Sequence, residues 1–323
     1  MRTKRIILIQ GTQPEGLVDW SFLWRTNPGF QNYTVEAQSI CQNPDFELVR
    51  FCEEGPNSFS VEQRTGIAQL LTFNAAWAQW QDLLPRLRGT ERWRRRIPNT
   101  LFVGHSFGTW IAAGLLGFWG EFHETFRAIE TRATYTCPIR GASTIIQSDP
   151  RQEQALDLIL LERVCERTQT SLGVINTPWQ AVASGTEEGI QELTTMLIAL
   201  KMRSRNFPLG VPWHNPTLMA NTRRELRQAL RGMQTQTLRA PIGYLDHRGK
   251  LRRTKSPRVI PQLLLQELTE QLNFWLLACQ LPKTAELIEL SGHDKHFLTK
   301  FVEEARAAQT SLQKASAPVL QAN

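Results

Sequence analysis

Paired cysteines are missing from this sequence. Its five cysteines (Cys41, Cys52, Cys137, Cys165 and Cys279) are scattered, odd in number and form no CxxC pair. That pattern argues against a disulfide framework and against a zinc site, and points to a reducing compartment, the cytoplasm. A leader is not apparent either. The start Arg2-Thr3-Lys4-Arg5 is basic, but the apolar run that follows, Ile6 to Ile9, is too short for a signal peptide and reads as a first strand. Charge is absent from one further stretch: Leu101 to Gly120 carries no Asp, Glu, Lys or Arg. Its five glycines, with His105 and Ser106, fit a buried strand, a tight turn and a helix rather than a membrane span.

What is present suits a globular enzyme. A chain of 323 residues with 41% hydrophobic and 21% charged residues can bury a large core. Ten tryptophans suit a filled interior, with Trp93 and Trp213 expected to be more exposed than the rest. The net charge is +7, and arginines concentrate at 86–96, 223–231 and 248–258. No helix-turn-helix, zinc-finger or RNP pattern accompanies them, so nucleic acid is not the expected partner. Solvated helix faces or an acidic protein partner account for such clusters.

Strand and helix patterns alternate, which argues for an α/β architecture. Residues 6–10 read as a strand, 61–87 as a helix and 101–104 as a strand. Helices follow at 110–118 and 122–135. The middle stretch then reads strand 143–147, helix 155–167, strands 171–176 and 180–184, helix 187–200 and an extended segment 203–211. This is the β-α-β-β-α-β order of a ferredoxin-like unit. It is expected to span residues 136–208, inserted into a larger α/β body made of 1–135 and 209–306, with a mobile tail at 307–323.

The chemistry centres on Gly104-His105-Ser106-Phe107-Gly108. A Gly-x-Ser-x-Gly pattern between a strand and a helix is a nucleophile elbow, whose tight turn leaves no room for a Cβ beside the serine. A serine hydroxyl needs a base at neutral pH. His123 and His247 lie in polar surroundings, and His105 adjoins the nucleophile with its ring expected to point elsewhere. His214, between Pro212 and Pro216 and beside Trp213, is restrained as an aimed imidazole should be, and His293 and His296 are its rivals.

Together these segments resemble the malonyl-CoA:acyl-carrier-protein transacylases and the acyltransferases of polyketide synthases. The resemblance runs from about Ile6 to Phe301. It rests on Gln10-Gly11-Thr12-Gln13, on the Gly-His-Ser-x-Gly elbow, on Asn176-Thr177-Pro178-Trp179-Gln180, and on Val211-Pro212-Trp213-His214-Asn215-Pro216. It implies an α/β-hydrolase-like large subdomain with an inserted ferredoxin-like small subdomain. Ser106 would accept the acyl group, and His214 would act as base and acid. The imidazole would be oriented by a backbone carbonyl near Tyr244 or Leu245. The amides of Gln10 and Phe107 would form the oxyanion hole. Allowing one extra residue near Gly120, Arg132 would pair with the free carboxylate of malonate.

The implied reaction is ping-pong transfer of a malonyl or related dicarboxylyl group from CoA to the phosphopantetheine thiol of an acyl carrier protein. It would proceed without metal or redox cofactor, in a free-standing, monomeric, cytoplasmic enzyme of polyketide or fatty-acid synthesis. The chain departs from the family pattern in three places. Thr109 stands for a usual Glu, Gln69 lies two positions out of step with an expected glutamine, and Gly292-His293-Asp294-Lys295 replaces a Gly-Pro-Gly-Lys-like segment. The alternative is an acyl hydrolase or thioesterase, on this fold or on an α/β-hydrolase fold with Ser106, Asp246 and His293 in the chain order such enzymes use.

Overall fold

The computed structural model describes residues 3–11, 18–88, 97, 99–148, 155–207, 210–291 and 296–315. The chain opens with β1 (Arg5–Ile9), followed by three helices, α1 (Trp20–Thr26), α2 (Pro28–Ile40) and α3 (Leu48–Glu54). The side chains of Asp19 and Asn27 cap α1 and α2 by accepting from Phe22 N and Phe30 N at 2.8 and 2.9 Å. A long helix α4 (Val61–Arg88) starts where Ser60 and Gln63 exchange hydrogen bonds, a reciprocal cap that satisfies two otherwise free donors.

Next come β2 (Thr100–Gly104), α5 (Gly108–Leu115) and α6 (Phe122–Thr136). The inserted unit follows as β3 (Ala142–Gln147), α7 (Leu158–Arg167), β4 (Ser171–Thr177), β5 (Gln180–Gly185), α8 (Glu187–Ala199) and β6 (Arg203–Phe207). The chain returns through α9 (Ala220–Ala229), β7 (Ile242–Leu245), β8 (Leu251–Thr254), α10 (Ile260–Gln266) and β9 (Leu272–Asn273). It ends in α11 (Phe274–Cys279), β10 (Glu286–Leu290) and α12 (Phe297–Ala315).

Two sheets result. The first has the order β10-β1-β2-β7-β8, parallel except for the β7–β8 hairpin. Successive residues of its central strands face opposite sides, as strand geometry requires. Ile7, Ile9 and Phe102 enter the core beneath α4, α5 and α6, whereas Ile6, Leu8, Leu101 and Val103 pack with α11 and α12. Both faces are therefore buried, which explains the unbroken apolar runs in β1 and β2.

The second sheet has the order β6-β3-β5-β4-β9, and β3 to β6 are antiparallel as in a ferredoxin-like unit. Leu161 and Val164 of α7 and Ile190, Leu193 and Leu197 of α8 cover one face. The chain is thus an α/β body carrying an inserted ferredoxin-like sheet. Elements α1 to α3, α9 to α12 and β7 to β10 lie outside the sequence reading, which assigns nothing between the first strand and residue 61 and nothing after 211. Among these β9, from the returning segment, joins the second sheet parallel to β4, pairing Leu272 with Val174.

Two expectations need correction. Trp213 is buried, at 8% exposure, because it closes over the side chain of Arg132 rather than facing solvent. Helix α12 runs on to Ala315, past the expected start of a tail at 307, because its Ala- and Gln-rich sequence is favourable for helix. Trp93 lies outside the described residues.

Candidate active site

Ser106 sits at the turn between β2 and α5 with a φ of 55°, the left-handed region that a side-chain-bearing residue enters only at a cost. The flanking glycines make this turn possible. A Cβ on Gly104 would lie 2.2 Å from Thr109 N, and one on Gly108 would lie 2.1 Å from Ile9 O. Both are collisions with backbone, so β1, β2 and α5 meet at the serine as closely as three chains can.

The partner histidine is His214. Its Nε2 lies 2.8 Å from Ser106 Oγ, and its Nδ1 lies 3.0 Å from the carbonyl oxygen of Glu270. A carbonyl only accepts, so Nδ1 carries the proton and the neutral ring presents the Nε2 lone pair to the serine. The orienting carbonyl belongs to Glu270, not to Tyr244 or Leu245. Those two residues are paired with β8, while the turn after α10 carries Glu270 past the imidazole. Arg223 of α9 steadies that turn through Thr269 Oγ1 at 2.7 Å and the Glu270 carboxylate at 3.6 Å. Gln271 ties it to Leu172 O of β4 at 3.1 Å.

His214 also has a left-handed backbone, with a φ of 58°. Asn215 fixes this conformation. Its amide donates to Ser184 O of β5 at 3.0 Å, and its Oδ1 accepts from Thr217 N and Leu218 N at 3.1 and 2.9 Å. Burial pushes the His214 pKa down from its usual value, against the opposing charge of Glu267. The ring is therefore held neutral, the state a general base requires.

Arg132, on α6, is fully buried. Its guanidinium is stacked among Phe107, Trp213 and Trp110, with Cζ 4.4, 4.8 and 5.6 Å from the ring centroids. Nη1 donates to Gln69 Oε1, so the glutamine that stands out of step in the sequence nonetheless reaches the arginine. Nη2 donates to both carboxylate oxygens of Glu267 at 3.1 Å. Glu267, directly after α10, is 9% exposed, and its Oε1 also lies 3.0 Å from Ser106 Oγ, which makes it a second acceptor within reach of the serine's single proton. Sequence reading missed this residue. An acidic side chain amid the Leu- and Gln-rich end of α10 carries no local sign that it turns inward.

Phe107 is the N-cap residue of α5, so its amide lies at the positive end of that helix, beside Ser106. The Gln10 amide donates to Leu290 O at 3.3 Å, extending the β1–β10 pairing, and the Gln10 side chain bonds Glu289. The next residue, Gly11, abuts the elbow: a Cβ there would lie 3.4 Å from Phe107 N. His105 points away from the base position, to Asn176 Oδ1 at 2.8 Å, and Asn176 in turn donates to Gln180 at 2.9 Å. The Asn-Thr-Pro-Trp-Gln hairpin thus grips the elbow through His105. Thr109 bonds the Gly104 carbonyl at 3.4 Å.

Asp246, proposed for a hydrolase triad, is engaged in its own hairpin. It accepts from the amides of Arg248 and Lys250 and from Arg252 Nε at 2.9, 3.0 and 2.7 Å. Those amides and the guanidinium hold its pKa down at about 2. His293 lies outside the described residues. Among the described residues no group of His, Cys, Asp and Glu is arranged to hold a metal, and no helix is long and apolar enough to cross a membrane.

No protein-family profile matches the chain. Over 134 residues, 41% of the chain, it is 29% identical to a subunit of the phenolphthiocerol/phthiocerol polyketide synthase of Mycobacterium tuberculosis. The match spans only 8% of that protein's length. Among solved structures, the malonyl-CoA:acyl carrier protein transacylase of Xanthomonas oryzae pv. oryzae matches with a TM-score of 0.74 at 18% identity, over 94% of this chain and 92% of that one. A malonyl-transacylase in complex with its type II polyketide synthase acyl-carrier protein matches with a TM-score of 0.73 at 19% identity, over 94% and 93%. This chain therefore has the fold of the malonyl-CoA:acyl-carrier-protein transacylases.

Proposed function

We propose that this chain is a serine acyltransferase that moves a malonyl or related dicarboxylyl group from coenzyme A to the phosphopantetheine thiol of an acyl carrier protein. The observation that carries the reading is the relay from Ser106 Oγ to His214 Nε2 at 2.8 Å and from His214 Nδ1 to the Glu270 carbonyl at 3.0 Å, set in this fold.

In the first half-reaction His214 Nε2 takes the Ser106 proton as Oγ attacks the thioester carbonyl. Negative charge gathers on the carbonyl oxygen, where the Phe107 amide stabilises it. The Gln10 amide would be the second donor, turning from Leu290 O to the oxyanion as it forms. When the C–S bond breaks, the imidazolium returns the proton to the departing thiolate, leaving acyl-Ser106 and free CoA. In the second half the carrier's thiol gives its proton to His214 and attacks the ester, and the same imidazolium then reprotonates Ser106. Every proton and bond is accounted for by Ser106, His214 and the two thiols, so the scheme calls for no metal or redox cofactor.

Arg132 is the proposed anchor for the acyl group's free carboxylate. The exposed arginines 224, 227 and 231 of the α9 region, and 248, 252, 253 and 258 around the β7–β8 hairpin, favour encounter with an acidic carrier. Residues 136–208 are the proposed small subdomain, set into a large subdomain of 1–135 and 209–306. The enzyme is proposed to act as a free-standing cytoplasmic monomer in polyketide or fatty-acid synthesis.

The test is intact-protein mass spectrometry after brief incubation with malonyl-CoA, beside acetyl-CoA and S106A. One malonyl adduct, absent from S106A, is expected. Free acid released without an accumulating adduct would instead favour an acyl hydrolase using the same dyad.

A further inference from the structure

The buried arginine of this site already has a carboxylate. Glu267 spans the gap between Arg132 and the nucleophile, with Oε1 3.1 Å from Arg132 Nη2 and 3.0 Å from Ser106 Oγ. An acyl group esterified to Ser106 and ending in a carboxylate one carbon beyond its carbonyl would need the same few ångströms. We propose that Glu267 is an internal stand-in for the acyl carboxylate: it occupies Arg132 while the site is empty and must yield it to a dicarboxylyl group, so that Glu267 sets the discrimination between dicarboxylyl and neutral acyl thioesters. This inference rests on the acyltransferase reading given above.

Three observations carry it beyond an ordinary buried ion pair. First, Arg132 retains an unused donor, because its buried Nε has no hydrogen-bond partner, whereas Nη1 is held by Gln69 and Nη2 by Glu267. A second carboxylate would find that spare N–H, but it would share one cation with Glu267 inside a closed site. Like charges at that range repel strongly where water is scarce. Second, the aromatic stack of Phe107 and Trp213 holds the guanidinium in place, so the carboxylate is the member able to move. It projects from the turn after α10, not from within a helix.

Third, Glu267 competes with His214 for one proton. The Ser106 hydroxyl can donate to His214 Nε2 or to Glu267 Oε1, not to both. Withdrawal of Glu267 leaves His214 as the acceptor, so arrival of the acyl carboxylate on Arg132 also aims the nucleophile's proton at its base. A neutral acyl group meets a satisfied ion pair and a serine whose proton is shared.

The test compares acylation of Ser106 by malonyl-CoA and acetyl-CoA in the wild type, E267Q, E267A and R132A, following the acyl-enzyme by rapid quench and mass spectrometry. E267Q and E267A are expected to raise the malonyl-to-acetyl ratio of kcat/KM by about ten-fold or more, chiefly through a lower KM for malonyl-CoA. The gain should vanish in E267Q/R132A. An unchanged ratio in folded E267Q or E267A, with Ser106 still acylated, overturns the inference and leaves the acyltransferase intact. No acylation of the wild type by any acyl-CoA overturns the underlying reading instead. A crystal structure of the wild-type malonyl-enzyme gives a second readout that needs no variant. The malonyl carboxylate is expected on Arg132 with Glu267 withdrawn, and Glu267 still bridging Arg132 to Oγ would refute the exchange.

Discussion

Gly173 of β4 lies directly against His214, and a Cβ at that position would stand 2.9 Å from the His214 Cβ and 3.2 Å from Trp213 O. The absence of a side chain in the small sheet is what lets the imidazole stand over the elbow. In G173A the turn carrying His214 must move away from β4, and the added methyl should cost about 1–3 kcal/mol in overpacking. The expected signature is a drop in the acylation rate of at least about ten-fold with KM nearly unchanged, since the dyad is displaced and the acyl pocket is not. Stopped-flow acylation beside a thermal melt decides it. A loss of rate no larger than the loss of folded protein would count against the positioning role.

Acylation should persist at unusually low pH. His214 must be neutral to accept the serine proton, and burial lowers its pKa from the ordinary histidine value of 6.5. The neutral form therefore survives as pH falls below 6.5, and the rate declines only once pH passes the lowered value. Two charged groups face the ring: Glu267 raises its pKa and Arg132 lowers it. E267Q removes the raising charge, so its acid limb should move to still lower pH. The measurement is kcat/KM for acyl-enzyme formation against pH in both proteins. A limb that stays in place would show that Glu267 is not charged beside the ring.

His105 should make folding stability pH-dependent. Burial pushes its pKa down to about 4 from 6.5, so between those values the unfolded chain binds more protons than the folded one. Stability therefore rises with pH through this window and falls on acidification. A shift of that size corresponds to a swing of about 3 kcal/mol at most. His214 contributes in the same direction. Urea titrations across the acid range up to neutrality should show a steep slope in the wild type and a shallower one in H105Q. Equal slopes would mean that the ring is not held neutral by its surroundings.

Much of the architecture could be read from the chain, for reasons that are local. The apolar runs of β1 and β2, the period of α4 and the turn Thr177-Pro178-Trp179 each leave a short-range trace. The elements expected from 61 to 211 lie within a few residues of their limits, whereas those of 20–54 and 220–315 were not read. Ser106 and His214 were legible because glycines and prolines mark where the backbone must take an unusual path. Glu267, Glu270 and β9 were not. An orienting carbonyl has no side-chain signature, a two-residue strand has no period, and a glutamate turns inward only because a buried arginine 135 positions away awaits it. Arg132 itself looks in sequence much like Arg127 on the same helix, and only packing separates the buried one from the exposed one.

The two halves of the dyad are delivered by different sheets. Ser106 leaves the end of β2 in the first sheet, while His214 packs against Gly173 of the second and its neighbour Asn215 bonds Ser184 there, and β9 stitches the returning chain to that second sheet just beyond Glu270. The distance between nucleophile and base thus works as a strain gauge across the seam. Any shift of the small sheet against the first would therefore register directly in the spacing of these two side chains.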